Sequence, residues 1–151
     1  MYDMINQIDE FMGRKCKAMY VIVCVDENLG MLFNRRRQSQ DRILREYLLN
    51  LARGRGFYMN AYSAKQFEDS SGIQISEHFL EEAGKDDFCF VENLSLRDFA
   101  DRIDGLILCK WNREYPADHC LDLDYSSWTL QYTEEFPGAS HEKITVEVFK
   151  K

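Results

Sequence analysis

The chain has 151 residues, a formal net charge of -7 and a pI near 5.0. That length suits one domain with a single sizeable core, and the acidic balance argues against a general nucleic-acid binder. No apolar run approaches the ~20 residues a membrane helix needs, and residues 1–17 lack the basic start and hydrophobic centre of a secretory leader.

Charge is segregated along the chain. The stretch from Arg35 to Arg55 holds seven arginines against Asp41 and Glu46, so it carries +5 and leaves -12 elsewhere. A solvated loop and helix face balanced by acidic neighbours accounts for it, and phosphate attraction is the competing reading. The five cysteines, at 16, 24, 89, 109 and 120, contain no C-x-x-C pair, and Cys24, Cys89 and Cys109 sit in apolar runs. A reduced, cytoplasmic setting is expected.

In chain order, residues 1–17 place Met4, Ile5, Ile8, Phe11 and Met12 at helical spacing, which fits a short helix or a leader preceding Met19; an N-terminal extension ahead of one domain at 18–151 is expected. Ala18 to Val25 is continuously apolar and rich in Val and Ile, as in a strand covered on both faces. Asp26, Glu27, Asn28 and Gly30 end it in a turn, with Gly30 free to take a positive φ. A helix is predicted from near Gln40, capped by Ser39, with Asp41 in its first turn and Ile43, Leu44, Tyr47, Leu48 and Leu51 as its apolar stripe. Gly54 stops it. A strand, loop and helix in this order can leave Asp41 at the mouth of a cleft beside the strand's carboxyl end, where open α/β sheets bind ligands.

Gly56–Ala61 reads as a second strand, followed by a helix from Tyr62 to Glu68 with Ser63 near its start. Asp69–Gly72 is a turn, Ile73–Ser76 a brief strand, and Ser76 with Glu77 opens a helical segment carrying Phe79, Leu80 and Ala83. After a break at Gly84–Asp87, Phe88–Val91 is the third buried strand. Ser95 is expected to cap a helix that turns Leu96, Phe99, Ala100 and Ile103 inward. Leu106–Trp111 is the fourth strong strand, and strands alternating with helices argue a largely parallel sheet. The tail then changes period: Trp128, Leu130 and Tyr132, and after Pro137-Gly138, Ile144, Val146 and Val148, alternate with polar residues as in an antiparallel hairpin. The expected fold is therefore α/β and three-layered: a mixed, mostly parallel central sheet closed by a C-terminal antiparallel hairpin.

Three stretches together resemble dihydrofolate reductase. Val25-Asp26-Glu27-Asn28-Leu29-Gly30-Met31 is similar to that family's VDxxxGM turn after the first strand, and Asp41 follows at about the spacing of the family's substrate carboxylate. Leu106 to Trp128 is similar to the family's Leu-Tyr-Leu-Thr strand, its GDTxFP segment near Ala117 to Leu121, and an acidic turn before a tryptophan. Glu134 to Lys151 is similar to the closing hairpin. The resemblance implies NADPH-dependent reduction of a folate or pterin. It makes Asp41 the catalytic carboxylate that hydrogen-bonds the amino-pyrimidine edge. Tyr20, Val21, Ile22, Phe90 and Cys109 become substrate-binding positions. Ile22, Leu29, Gly30, Ser63, Glu92 and Asn93 fall at cofactor positions.

The sequence also departs from that pattern. Cys109 replaces the usual threonine, Arg36 to Ser39 stands where Leu-Pro-Trp is expected, and Asn60-Ala61-Tyr62-Ser63 replaces the Gly-Arg-x-Thr phosphate contact. No arginine occurs between Arg55 and Arg97 to grip a folate carboxylate, and Glu92 stands where glycines would let the cofactor pyrophosphate approach. The departures motivate a second reading, a reductase-like fold that binds another small ligand, a protein or nucleic acid. Two further readings have less behind them. Arginine-mediated nucleic-acid binding lacks any accompanying recognition motif. Metal-dependent hydrolysis has only the scattered His78, His119 and His141, so no metal is expected. Trp111, Tyr115 and Trp128 are read as core aromatics or as stacking platforms.

Overall fold

The computed structural model describes residues 19–67 and 72–151. The helix or leader expected at residues 1–17, the domain boundary at 18, the end of the second predicted helix at Glu68 and most of the turn at 69–72 lie outside them.

A seven-stranded sheet forms the middle layer. Its strands are β1 (Met19–Val25), β4 (Phe57–Met59), β5 (Ile73–Ile75), β6 (Phe88–Phe90), β7 (Ile103–Lys110), β9 (Thr129–Phe136) and β10 (Ile144–Lys150), in the order β5-β4-β6-β1-β7-β10-β9. β1 lies parallel to both β6 and β7, β4 is parallel to β5 and β6, and β10 turns antiparallel to β7 and β9. The mostly parallel sheet with an antiparallel C-terminal border is thus the expected one. Side chains of a strand alternate between faces, and β1 divides accordingly. Tyr20 and Ile22 join the core on one side; Val21, Val23 and Val25 join the core on the other.

On the first face lies α1 (Arg42–Leu51), which buries Leu44, Tyr47, Leu48 and Leu51. These are four of the five stripe residues read from its periodicity, and each removes side-chain area from water worth about 1.5–3 kcal/mol. The second face is covered by α3 (Phe79–Glu82), where Phe79, Leu80 and Ala83 are buried, and by a 3-10 segment at Arg97–Arg102. α2 (Ala61–Ala64) runs into a 3-10 turn at Lys65–Phe67.

Several local expectations are corrected. Asp41, not Ser39, caps α1, its side chain accepting from the amides of Ile43 and Leu44; Ser39 is occupied elsewhere. The positive φ in the turn after β1 is at Leu29 (62°). Gly30 instead enters a strand where a Cβ would stand 2.6 Å from the Ala117 methyl, so close approach explains this glycine. Asn60 rather than Ser63 opens α2. The helix expected after Ser95 is only the 3-10 segment, because the Ser95 hydroxyl is drawn to Asp122, and Ile103 already begins β7.

An unforeseen second sheet sits beside the carboxyl end of β1. It comprises β2 (Gly30–Phe33), β3 (Arg36–Arg37) and β8 (His119–Cys120), in the order β3-β2-β8. Asn34 and Arg35, both at positive φ, make the tight turn between β2 and β3. Asp26 anchors this sheet to the large one, its carboxylate accepting from the amides of Asn28, Gly30 and Tyr115 and from the Gln38 side chain. Burial alone raises its pKa, but those four bonds outweigh burial and leave it lowered.

Candidate functional site

The carboxyl ends of β1, β6 and β7, together with the start of α1, surround the place where a ligand cleft was expected. Asp41 does reach it, yet its carboxylate is spoken for. Oδ1 accepts from the amides of Ile43 (2.9 Å), Leu44 (3.3 Å) and Ala139 (3.0 Å). Oδ2 accepts from the amide of Ser140 (2.8 Å) and from Nδ1 of His141 (3.0 Å). A carboxylate offers about four lone-pair sites, so these donors saturate it, and the residue is 2% exposed. Burial raises its pKa; the bonds from Ala139, His141, Ser140 and Leu44 overcome that and hold it far below the usual carboxylate range.

Three of these donors, from Ala139, Ser140 and His141, lie in the loop of the C-terminal hairpin, which can approach only because residue 138 lacks a side chain. A Cβ there would lie 2.5 Å from Oδ2 of Asp41 and 2.8 Å from Cδ1 of Ile144. Gly138→Ala is therefore expected to cost about 2 kcal/mol through overpacking, measured as a lower urea midpoint at unchanged slope.

His141 is the second member of the site. Because an ionised carboxylate only accepts, Nδ1 carries the proton toward Asp41, and in the neutral ring Nε2 is an acceptor. Two hydroxyls reach it, Ser39 at 3.0 Å and Tyr115 at 3.1 Å. Trp111 stacks on the imidazole at 4.5 Å between centroids and 22° between planes. That aromatic does stack on a heterocycle, but one of the protein's own.

The expected cofactor side is filled by a different group. Arg37, on β3, grips Glu92 with two bonds, Nε to Oε2 at 2.9 Å and Nη2 to Oε1 at 3.1 Å. Its guanidinium lies 4.5 Å from the centre of the Tyr62 ring, and its amide donates to the Tyr62 hydroxyl at 2.7 Å. Burial lowers the Arg37 pKa, while Glu92 more than compensates and raises it. Glu92 does not face phosphates uncompensated as its position suggested; it has its own cation.

Between these two clusters lies a cavity lined by Cys24, Ser39, Asp41, Gln66, Phe90 and Glu92 among others, with about 10 Å³ of free volume. That is room for one water at most, against the ~300–1,000 Å³ of a ligand pocket. Gln66 is among the lining residues, and its Nε2 is buried without a partner. Outside, Phe33, Arg36, Arg37, Gln38, Tyr115 and Pro116 border an open groove of about 480 Å³.

Of the residues proposed from sequence, the structure brings Asp41, Phe90 and Glu92 to this cavity. Tyr20 and Ile22 are in the core beneath it, and Val21 faces away on the opposite side of the sheet, because neighbours on a strand cannot share a wall. Cys109 is fully buried beside Cys24, its partner in register on β1. The bond to Cys109, then burial, pushes the Cys24 thiol well above its ordinary pKa. Leu29 and Gly30 belong to the turn and β2, away from the cavity. Ser63 is fully buried with its hydroxyl unpartnered, and Asn93 bonds Asn60 through their side chains at 2.8 Å. The sequence reading did not place Arg37, Ser39, Tyr62, Gln66 or His141 at this site, and it named Tyr115 only as a core aromatic or stacking platform. Ser39, two residues before Asp41, was read as a helix cap.

Among the described residues no three His, Cys, Asp or Glu side chains stand together to hold a metal ion. His119 pairs through β8 with Leu32 of β2. No described helix is long and apolar enough to cross a membrane.

The sheet order, its parallel core and its antiparallel border define a dihydrofolate-reductase-like α/β fold. The dihydrofolate reductase of Enterococcus faecalis, solved in complex with NADP(H) and RAB-propyl, matches with a TM-score of 0.64, covering 88% of this chain and 95% of that one at 11% identity. The likeness is one of fold. No family model matches the chain, and no curated protein matches it by sequence.

Proposed function

We propose that this protein is a reductase-like fold turned to a small ligand other than a folate. The observation that carries the reading is the state of Asp41: the carboxylate that the resemblance makes the pterin anchor gives all its acceptor capacity to α1 and the hairpin loop. The Arg37–Glu92 pair, at a position the resemblance gives to the cofactor, supports it further. The open groove bordered by Arg36, Gln38 and Tyr115 is the surface left for a ligand, and the exposed Arg36 favours one bearing a negative charge.

A second reading keeps the reductase chemistry, with NADPH as cofactor and a folate or pterin as substrate. It is favoured by the NADP(H) complex of the E. faecalis enzyme, and it requires the β2–β3 turn and the hairpin loop to swing away. One assay separates the two. Purified protein is incubated with NADPH and dihydrofolate while cofactor absorbance is followed, with thermal shift against NADPH, NADH, folates and pterins in parallel. The expected result is no turnover and no shift with NADPH or an antifolate. Dihydrofolate-dependent NADPH oxidation, abolished by Asp41→Asn, overturns the first reading.

A further inference from the structure

Ser39, His141 and Asp41 form a single hydrogen-bonded line. Oγ of Ser39 lies 3.0 Å from Nε2 of His141, and Nδ1 of the same ring lies 3.0 Å from Oδ2 of Asp41. This is the arrangement by which a hydroxyl is made nucleophilic: the carboxylate sets the tautomer, leaving Nε2 free to take the hydroxyl proton. The acid and base are fixed. Side chains of Asp41 and His141 are 0% and 1% exposed, Asp41 is held by backbone amides on both sides, and the Trp111 stack prevents the ring from turning. Ser39 alone is half-buried, standing between the inner cavity and the surface.

A second observation is independent of that line. Gln66 lines the same cavity, and its Nε2 is buried without an acceptor. A buried donor left unmade is costly, and a side-chain amide beside a nucleophile is one way of receiving the negative oxygen of a tetrahedral intermediate.

We propose that Ser39, His141 and Asp41 are the nucleophile, general base and positioning carboxylate of an acyl-transfer site for small esters, with Gln66 as oxyanion donor. The proposal rests on the reading that Asp41 serves the protein's own histidine rather than a pterin. Ser39 Oγ bonds to the acyl carbon as its proton passes to His141 Nε2, and the carbonyl electron pair moves onto the oxygen facing Gln66. Collapse re-forms the carbonyl and breaks the bond to the leaving alkoxide, which takes the proton from Nε2. Water repeats both steps on the acylated serine, releasing the carboxylic acid and restoring Ser39. The inner cavity, with room for about one water, takes no more than the carbonyl oxygen, so the rest of the ester lies toward the outer groove. The leaving group extends into the outer groove, whose wall includes Tyr115, the other hydroxyl on Nε2. The exposed Arg36 there suits an anionic alcohol.

The full-length protein is treated with a fluorophosphonate probe and mapped by peptide mass spectrometry, and p-nitrophenyl acetate hydrolysis is followed alongside. One adduct on Ser39 is expected, absent in Ser39→Ala and formed at least about a hundredfold more slowly in His141→Gln. Gln66→Leu, which leaves the line intact, is expected to hydrolyse the ester about a hundredfold more slowly at a melting temperature no lower than that of the wild type. Asp41→Asn is expected to lower kcat, counted per folded molecule from the near-UV circular dichroism of the same sample, with KM held. A folded wild-type protein with no adduct on Ser39, or hydrolysis that survives in Ser39→Ala, overturns the proposal. Neither result bears on the NADPH assay, and dihydrofolate-dependent turnover there refutes the proposed function whether or not Ser39 is labelled.

Discussion

Asp41→Ala is expected to lower folding stability by about 4 kcal/mol, a loss that sums a helix cap of ~1 kcal/mol and several buried donors left unpaired at ~1–3 kcal/mol each, with partial relaxation. The donors are the amides of Ile43, Leu44, Ala139 and Ser140 and Nδ1 of His141. At roughly 2–4 °C per kcal/mol for a domain of this size, the melting temperature falls by about 8–16 °C. The acid side carries a second signature. The folded-state pKa of Asp41 is depressed, so its contribution is fully present above the unfolded carboxylate value near 4 and is lost as pH falls below that toward the folded value. Urea midpoints of the wild type should therefore decline steeply below about pH 4, and those of Asp41→Asn should decline less. Parallel slopes for the two proteins contradict the assignment of Asp41 as the ionised hub.

Arg37→Ala is expected to cost about 3 kcal/mol, because it leaves the Glu92 carboxylate, 8% exposed, without its cation. The companion test is the double replacement Arg37→Met with Glu92→Leu. Removing both charges removes the desolvation cost along with the attraction, so the double variant should return to within about 1 kcal/mol of the wild type. The coupling energy from the full cycle then measures the pair. Arg42 and Glu46 on α1 make the internal comparison: also paired, but 63% and 60% exposed, they should yield no more than about 0.5 kcal/mol. Equal coupling in the two pairs rules out a role for burial at Arg37.

The two substitutions act on the two groups that close the cleft, one on each side of a cavity with about 10 Å³ free. Their consequences for ligands are separable. Asp41 fixes the hairpin loop and the imidazole, whereas Arg37 fixes the β2–β3 turn against Tyr62 and the end of β6.

Strands and the main helix were legible in the sequence because burial imposes a period on apolar residues. The unbroken run at β1 signalled two covered faces, Leu44, Tyr47, Leu48 and Leu51 recurred at helical spacing, and the alternation after Trp128 marked the antiparallel border. The short sheet of β2, β3 and β8 left no such trace. β3 and β8 are two residues each, too short for a pattern, and β8 joins from nearly ninety positions away. The site behaved in the same way. Asp41 could be singled out by its place after the first strand, but its partner His141 is 100 residues distant and has no local motif. A carboxylate at the head of a helix reads alike whether it faces a ligand or a loop. Which of these it meets is decided by chain topology: β10 returning beside β7 carries the hairpin loop over the start of α1, and the bare Gly138 lets it close there. The residues by themselves determined the layers and the candidate acid; only the packed chain determined that this acid is given to an imidazole, because hydrogen-bond capacity is settled by proximity in space rather than by order along the sequence.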